Sequence, residues 1–446
     1  METNATLLSR VERAHPDAPE LHQAVAEVAG ALGPIRHAHP EWQEVRVLER
    51  LVEPDRIVSF RVVWEDDRGR LQLERGYRVQ QSNLLGPYKG GLRFRDGLKL
   101  GTLRFLAFEQ VFKDALTGLP LGGAKGGATF NPRGRSDREI QRFCRAFMTQ
   151  LHRHIGPSLD VPAGDIGVGA RELGYLYGTY RRLGGGEQGA LTGKSVGWGG
   201  IPLRPEATGY GLMYFLRAAI EQHDLSLAGL RCAISGAGSV AIHAARKLLA
   251  LDAQVISLSN SDGTLFCPDG FTASHLADII ERQGQGDRLD AIAPDLSGAE
   301  FRPGAKPWAE ACDVALPCAT QNEVTEADAE TLLRHDRFKV VAEGANMPCT
   351  AAAVAAFSAA RRVVYLPGKA ANAGGVVVSG LEMAMNAQRE PWTEAEVDEA
   401  LQERMKFIHR ACVDNASRRD PVDYAEGANV AAFRRLAPAM LAQGWG

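Results

Sequence analysis

The feature that most constrains the fold is an alternation of short apolar runs and helical stretches beyond residue 200. Leu230 to Ser235 and Val255-Ile256-Ser257-Leu258 are the first two such runs. Val314-Ala315-Leu316, Lys339-Val340-Val341-Ala342 and Val363-Val364-Tyr365-Leu366 repeat them. Short apolar strands separated by helices predict a parallel sheet covered on both faces. Gly236-Ala237-Gly238-Ser239-Val240-Ala241 follows the first strand and opens an apolar helix to Leu251. In that setting a G-x-G-x-x-A turn brings a pyrophosphate to the backbone N–H groups of a helix N-terminus. Ligands of such sheets bind beyond the carboxyl ends of the strands. Asn260, Thr320, Asn346 and Asn372 all fall at or just past those ends.

The first 200 residues read differently. Leu21, Val25, Val28 and Leu32 recur at helical spacing. Val58 to Trp64 and Leu71 to Val79 alternate around Asp66-Asp67-Arg68-Gly69, which predicts a β-hairpin. Pro87-Tyr88-Lys89-Gly90-Gly91 breaks that pattern. A helix from about Leu100 to Leu116 carries Gln110 and Lys113 as surface neighbours, three residues apart. Thr117 to Phe130 then sets Lys125 among four glycines. A lysine approached closely by backbone loses hydration, and desolvation lowers an ammonium pKa toward the range of proton transfer. The alternative is a glycine-rich turn whose lysine points into water. After a helix from about Asp137 to His154, Val161 to Gly169 holds the single carboxylate Asp165 among small residues. It suits either a proton carrier or a cap for a helix opening near Ala170. Residues 184–200 are glycine-heavy, and a domain boundary is placed near 200; Thr208-Gly209-Tyr210-Gly211 opens the next helix.

Composition excludes several classes of function. Lys+Arg 51 against Asp+Glu 54 leaves a formal charge of −3, without the basic excess of a nucleic-acid binder. The 446 residues suit two or three soluble domains. Seven scattered cysteines without a CxxC argue against a disulfide framework or a metal site and favour a reducing cytoplasm. The N-terminus has no apolar signal core, and no run of about 20 apolar residues predicts a membrane span.

Several motifs together resemble glutamate dehydrogenases, most closely the small hexameric bacterial type of the Glu/Leu/Phe/Val dehydrogenase family. They are Pro87 to Gly91, Phe108-Glu109-Gln110, Pro120 to Gly127, Val161 to Gly167, Arg204 to Gly211, Ala342 to Pro348 and Gly368 to Val376. The resemblance spans nearly the whole chain in order. It implies a two-domain α/β fold with a cleft between the domains. Residues 1–200, completed by C-terminal helices at 376–446, would bind substrate and assemble a homohexamer; residues 201–375 would form a Rossmann-like dinucleotide domain. It implies reversible oxidative deamination of L-glutamate to 2-oxoglutarate and ammonium. Lys89 and Ser379 would hold the distal carboxylate, and Gln110 and Lys113 the α-carboxylate. The Gly164 carbonyl would meet the amine, Lys125 would be general base, and Asp165 would exchange protons with the amine. Thr208, Gly236, Gly238, Ser239, Val240, Asn260, Ser261, Asn346 and Asn372 would surround the cofactor. A leucine- or phenylalanine-type enzyme is opposed by Lys89, and an inactive nucleotide-binding regulator or scaffold by Lys125 and Asp165. No long insertion of the antenna kind is present, so nucleotide regulation of that type is not expected.

Two positions depart from the family pattern, Ser239 in place of a common asparagine and Asn260 in place of an aspartate. An NAD site places an acid at the end of the second strand to grip the ribose 2′-hydroxyl. Here Ser257-Leu258-Ser259-Asn260-Ser261 offers no acid before Asp262. Serine and asparagine can donate to a 2′-phosphate that a carboxylate would repel. This predicts NADP as the preferred cofactor, with NAD or dual use through Asp262 as the rival. Arg282 and Arg288 are the nearest cations for the phosphate.

Overall fold

The computed structural model describes residues 3–184, 186 and 188–444, and divides the chain into two units. The first holds Met1–Arg204, Val376–Asp398 and Asn429–Gly446; the second holds Pro205–Gly375 and Glu399–Ala428.

The first unit begins with five helices, α1 (Asn4–Ala14), α2 (Pro19–Ala31), α3 (Gly33–Ala38), α4 (Pro40–Glu44) and α5 (Val47–Val52). The expected hairpin follows as β1 (Arg56–Glu65) and β2 (Leu71–Ser82), antiparallel with Val62 opposite Glu74. Then come β3 (Tyr88–Phe94), α6 (Leu100–Leu116), β4 (Gly123–Ala128), α7 (Asp137–Leu151), β5 (Asp160–Gly164) and α8 (Ala170–Arg182). The five strands form one sheet in the order β1-β2-β4-β3-β5.

Two sequence expectations are corrected here. The glycine-rich lysine segment is strand β4, not a turn, and the supposed break at Pro87–Gly91 is itself the start of strand β3. Glycine usually weakens a strand, but here it lets backbones close up. A Cβ at Gly90 would collide with the Ala124 carbonyl, and one at Gly123 would reach 2.5 Å from Val111 Cγ2 on α6. The side chains are absent because the neighbouring strand and helix occupy their places.

One face of this sheet packs on α7 and α8 through an aromatic core. Phe130 and Phe143 stack with ring centroids 3.8 Å apart, and Phe94 meets Phe143 edge-on at 5.1 Å. Each fully buried phenylalanine contributes about 1.5–3 kcal/mol. Helix α7 starts at a capping box in which Ser136 Oγ accepts from Glu139 N and Glu139 accepts from Ser136 N. Within the sheet, Arg78 and Asp160 form a fully buried pair: Arg78 Nε donates to Asp160 Oδ2 at 2.9 Å, Gln80 Nε2 donates to the same oxygen, and Arg78 Nη1 donates to the Gly90 carbonyl. This cross-link fixes β2, β3 and β5 in register. Removing one partner would strand a buried charge at about 3–5 kcal/mol.

The second unit contains α9 (Ala207–Gln222), β6 (Arg231–Ile234), α10 (Ser239–Leu249), β7 (Gln254–Asn260), β8 (Gly263–Phe266), α11 (Ala273–Gly284), α12 (Leu289–Ile292), β9 (Glu300–Pro303), β10 (Val314–Leu316), α13 (Glu326–Leu333), β11 (Val340–Ala342), α14 (Ala351–Ala359), β12 (Val364–Leu366) and α15 (Gly368–Ala371). Its sheet runs β12-β11-β10-β6-β7-β8-β9. The five strands anticipated from the apolar runs are parallel, as expected. The sheet as a whole is mixed, because β8 and β9 pair antiparallel at its edge. β9, at the edge, is partly exposed, and buried β8 holds Gly263 and Thr264 beside only two apolar residues, so neither shows the continuous apolar run that marks the others.

The chain ends with α16 (Gly374–Gln388), α17 (Glu394–Asn415) and α18 (Tyr424–Ala442). The expectation that all of 376–446 completes the first domain needs correction, since Glu399–Ala428 belongs to the second unit. The reason is packing: His409 and Tyr424 lie edge-on to Phe215 of α9, with centroids 5.8 Å away in each case, and His409 Nε2 hydrogen-bonds the Tyr424 hydroxyl at 2.9 Å. No helix among the described residues is long and apolar enough to cross a membrane.

Candidate active site

The chemistry of the first unit converges on adjacent strands. Lys125 lies on β4, Lys89 on β3, and Asp165 directly after β5. Lys125 Nζ donates to Asp165 Oδ1 at 2.8 Å, and Arg93 Nε donates to Asp165 Oδ2 at 2.7 Å. Lys125 is 4% exposed, which removes the reading of a lysine pointing into water. Burial lowers the Lys125 ammonium, with Asp165 pulling it back. Burial opposes ionisation of Asp165, but Lys125 and Arg93 outweigh it and hold the carboxyl well below the usual range. Asp165 caps no helix: α8 is capped by Gly169, whose N–H is bonded by Glu172.

Between Lys125 and Asp165 runs Gly91 of β3. A Cβ there would stand 2.8 Å from the Gly164 carbonyl, 2.9 Å from Asp165 Cβ and 3.3 Å from Lys125 Nζ. The glycine thus leaves the space in which the lysine and the carboxylate meet.

Helix α6 packs on β4 and brings its last turns to the same place. Lys113 is buried, and burial together with Lys125 lowers its ammonium to about 8. Gln110 Nε2 donates to Asp114 Oδ1 at 2.6 Å.

Lys89 is 1% exposed, and its Nζ donates to Thr192 Oγ1 at 2.9 Å. Thr192 Oγ1 reaches Ser379 Oγ of α16 at 3.4 Å, and Arg204 Nε donates to that serine at 3.0 Å. Burial, then Arg204, lowers Lys89 to about 7. The segment after Thr192 is tied to α16 by a second buried pair: Lys194 Nζ lies 2.7 Å from Glu382 Oε1, and Gly193 N donates to Glu382 Oε2. A cluster of one buried lysine, one guanidinium and two buried hydroxyls is suited to an anion, because buried charge needs compensation.

In the second unit, Gly236 turns sharply out of β6 with φ 83°. A Cβ on Gly238 would meet nothing within 4 Å, and α10 has no side-chain cap. Open space therefore fronts the free N–H groups of a helix N-terminus, which fits a pyrophosphate. Thr208 sits half-buried in the first turn of α9, and Val240 in that of α10. The Ser239 hydroxyl donates to the Pro205 carbonyl, leaving its backbone N–H for a ligand. Asn260 Oδ1 accepts from Asp262 N and Gly263 N, which leaves its amide nitrogen as a donor. Ser261 is exposed beside it. Asn372 Nδ2 donates to the Gly344 and Ala345 carbonyls and to Asn346 Oδ1, tying the C-terminus of α15 to the loop after β11.

Comparison with known proteins decides the family. A sequence model described as Glutamate/Leucine/Phenylalanine/Valine dehydrogenase matches residues 199–444, and one described as Glu/Leu/Phe/Val dehydrogenase, dimerisation domain, matches residues 54–182. The chain belongs to the Glu/Leu/Phe/Val dehydrogenase family. Its relatives in that family include an NAD(P)-specific glutamate dehydrogenase of Xylanibacter ruminicola, 48% identical over 98% of both chains. An NADP-specific glutamate dehydrogenase of Escherichia coli (strain K12) is 47% identical, again over 98% of both. An NAD-specific glutamate dehydrogenase of Clostridium symbiosum has the same identity and coverage. Among solved structures, a glutamate dehydrogenase superposes with TM-score 0.96 at 46% identity over 99% of both chains. The enzyme from Plasmodium falciparum gives 0.95 at 44%, covering 99% of this chain and 94% of its own.

Within this family member, the sequence missed Arg93, Thr192, Arg204 and Gly91 as parts of the site. Arg93 lies two residues beyond the Lys89 to Gly91 run, and strand alternation from Lys89 to Gly91 to Arg93 places all three on one face. That alternation was the available signal. Nothing local marks Thr192, which reaches Lys89 across 103 residues of chain.

Proposed function

We propose that this chain catalyses the reversible oxidative deamination of L-glutamate to 2-oxoglutarate and ammonia, with NAD(P) as hydride acceptor. The observation that carries the reading is buried Lys89 with Thr192, Ser379 and Arg204 around it. An aliphatic side chain entering that place would leave those groups unpaired, whereas a distal carboxylate pairs them. Support comes also from relatives at 47–48% identity over nearly the full chain, all described as glutamate dehydrogenases.

In this reading Lys89 and Ser379 hold the distal carboxylate, Gln110 and Lys113 hold the α-carboxylate, and the Gly164 carbonyl accepts from the amine. A bound nicotinamide dinucleotide would supply the hydride acceptor for the α-carbon. Lys125, lowered by burial, removes a proton from the water that adds to the iminium carbon. Asp165, held ionised, receives and returns the amine proton. Thr208, Gly236, Gly238, Ser239, Val240, Asn260, Ser261, Asn346 and Asn372 form the cofactor site.

NADP is the proposed preferred form. Arg282 is withdrawn as a phosphate ligand, since Asp287 and Asp295 occupy its guanidinium. Arg288 instead pairs with Asp262 at the end of β7, neutralising the acid that would favour NAD. A homohexamer in a cytoplasm is also proposed; the β1–β2 hairpin lies at a sheet edge and exposes Leu71 and Leu73 at 76% and 67%, a surface suited to burial against other copies. The test is loss of reduced-cofactor absorbance with 2-oxoglutarate and ammonium. No turnover with 2-oxoglutarate, alongside turnover with an apolar 2-oxo acid, would reassign the substrate.

A further inference from the structure

The glycine-heavy stretch after α8 carries a lysine, Lys194, and α16 carries an acid, Glu382, whose side chains are both fully buried. Opposite charges cut off from water are costly to bury, and apolar residues of similar volume often hold a fold as well. Stability is therefore a weak reason for the pair, and its geometry gives a better one. Glu382 Oε1 lies 2.7 Å from Lys194 Nζ and accepts from Lys194 N at 3.4 Å, while Oε2 accepts from Gly193 N at 2.9 Å. Lys194 Nζ turns back to donate to the Leu191 carbonyl. One carboxylate and its ammonium thus tie Leu191, Gly193 and Lys194 to a single point on α16. Thr192, the residue enclosed by them, is held from the other side, its N donating to the Pro162 carbonyl of β5 at 3.0 Å. Gly193 makes the turn with φ 86°, a left-handed conformation that suits glycine, and a Cβ there would stand 2.9 Å from Leu173 Cδ1. One turn further along α16, Asn386 Nδ2 donates to the Gly199 carbonyl at 2.8 Å, a second tie between the same stretch and the same helix.

We propose that Lys194 and Glu382 are positioning residues that fix Thr192 against Ser379 and so set the depth of the distal-carboxylate subsite and the length of diacid it accepts, an inference that rests on the glutamate reading above. Ser379 stands three residues before Glu382, on the same side of the helix, and Thr192 stands two residues before Lys194. The Thr192 hydroxyl accepts from Lys89 Nζ at 2.9 Å and reaches Ser379 Oγ at 3.4 Å. The buried pair touches neither hydroxyl; it holds the two backbones that carry them. A diacid whose α-carboxylate lies on Gln110 and Lys113 meets Lys89 and the hydroxyls with its distal carboxylate at one chain length. If Thr192 can retreat from Ser379, a chain one methylene longer fits the same place, and the shorter one loses a hydrogen bond.

The experiment measures kcat and KM for 2-oxoglutarate and for 2-oxoadipate, one methylene longer, together with Tm, in wild type and in the double variant Lys194→Met/Glu382→Gln. The double variant removes both charges at once, so that neither is left buried alone, and keeps a side-chain oxygen for Gly193 N. KM for 2-oxoglutarate should rise about tenfold, the usual effect of losing one hydrogen bond to a charged group. The kcat should stay within about threefold, since the groups at the reacting carbon are untouched. The preference in kcat/KM for 2-oxoglutarate over 2-oxoadipate should shrink by about tenfold. Should the double variant fail to fold, Lys194→Met, which leaves Glu382 its two backbone donors, must show the same changes. A folded variant that keeps the wild-type KM and preference, whatever its Tm, makes the pair purely structural and overturns the proposal alone, as does failure of both variants to fold. A wild type inactive on 2-oxoglutarate overturns the glutamate reading and this inference with it.

Discussion

Lys125 and Asp165 meet at 2.8 Å although the strand between theirs separates them in the sheet. The lysine stands on β4, the acid follows β5, and β3 passes between with Gly91 at the crossing point. The pair is therefore made by the missing side chain of a third strand.

Loss of either partner should stop turnover without unfolding the chain. Lys125→Ala and Asp165→Asn are each expected to lower kcat by about 10²–10⁴-fold, the usual worth of a general acid–base group. Circular dichroism checks the fold. A Lys125→Ala enzyme keeping more than about a tenth of wild-type activity, without added amine, would exclude lysine as the base.

Gly91→Ala tests the crossing itself. A methyl group 2.9 Å from Asp165 Cβ forces the acid or the strand aside. A displacement of about 1 Å can cost about 10²-fold in rate, so kcat should fall to that order while secondary structure is retained. Unchanged kinetics would mean that the Lys125–Asp165 contact is not needed for catalysis.

Substrate choice should turn on Lys89. In Lys89→Leu the distal carboxylate loses its buried cation, worth about 3–5 kcal/mol, so kcat/KM for glutamate should drop several hundredfold or more. Some activity on norleucine or methionine should appear. Equal kcat/KM for glutamate in both enzymes would place Lys89 outside the pocket.

Cofactor choice should turn on the end of β7. Arg288→Ala frees Asp262, and Ser261→Glu adds a second acid, so both should reduce kcat/KM for NADPH relative to NADH. A wild-type ratio already favouring NADH would reverse the proposed preference.

The second unit was largely legible because its strands are apolar on both faces and its glycine turn sits between a strand and a helix. The antiparallel β8–β9 pair was not, since β8 is a four-residue strand with only two apolar residues and β9 is a partly exposed edge. In the first unit, motif residues were recognisable but their state was not. Lys89-Gly90-Gly91 and Gly122 to Gly127 read as turns by composition, because the reason for glycine there is the backbone of another strand. Thr192 and Arg204 were invisible as neighbours of Lys89 and Ser379 for the same reason: long-range contacts leave no local period.

The passage of the chain between its two units has a practical consequence. It crosses four times, after Arg204, Gly375, Asp398 and Ala428. No single cut yields either unit whole. A fragment ending at Gly375 would expose the side of Phe215 that His409 and Tyr424 cover. A free-standing dinucleotide module would need 205–375 spliced directly to 399–428, and a linker scan or domain swap that treats the C-terminus as one appendage would tear both halves at once.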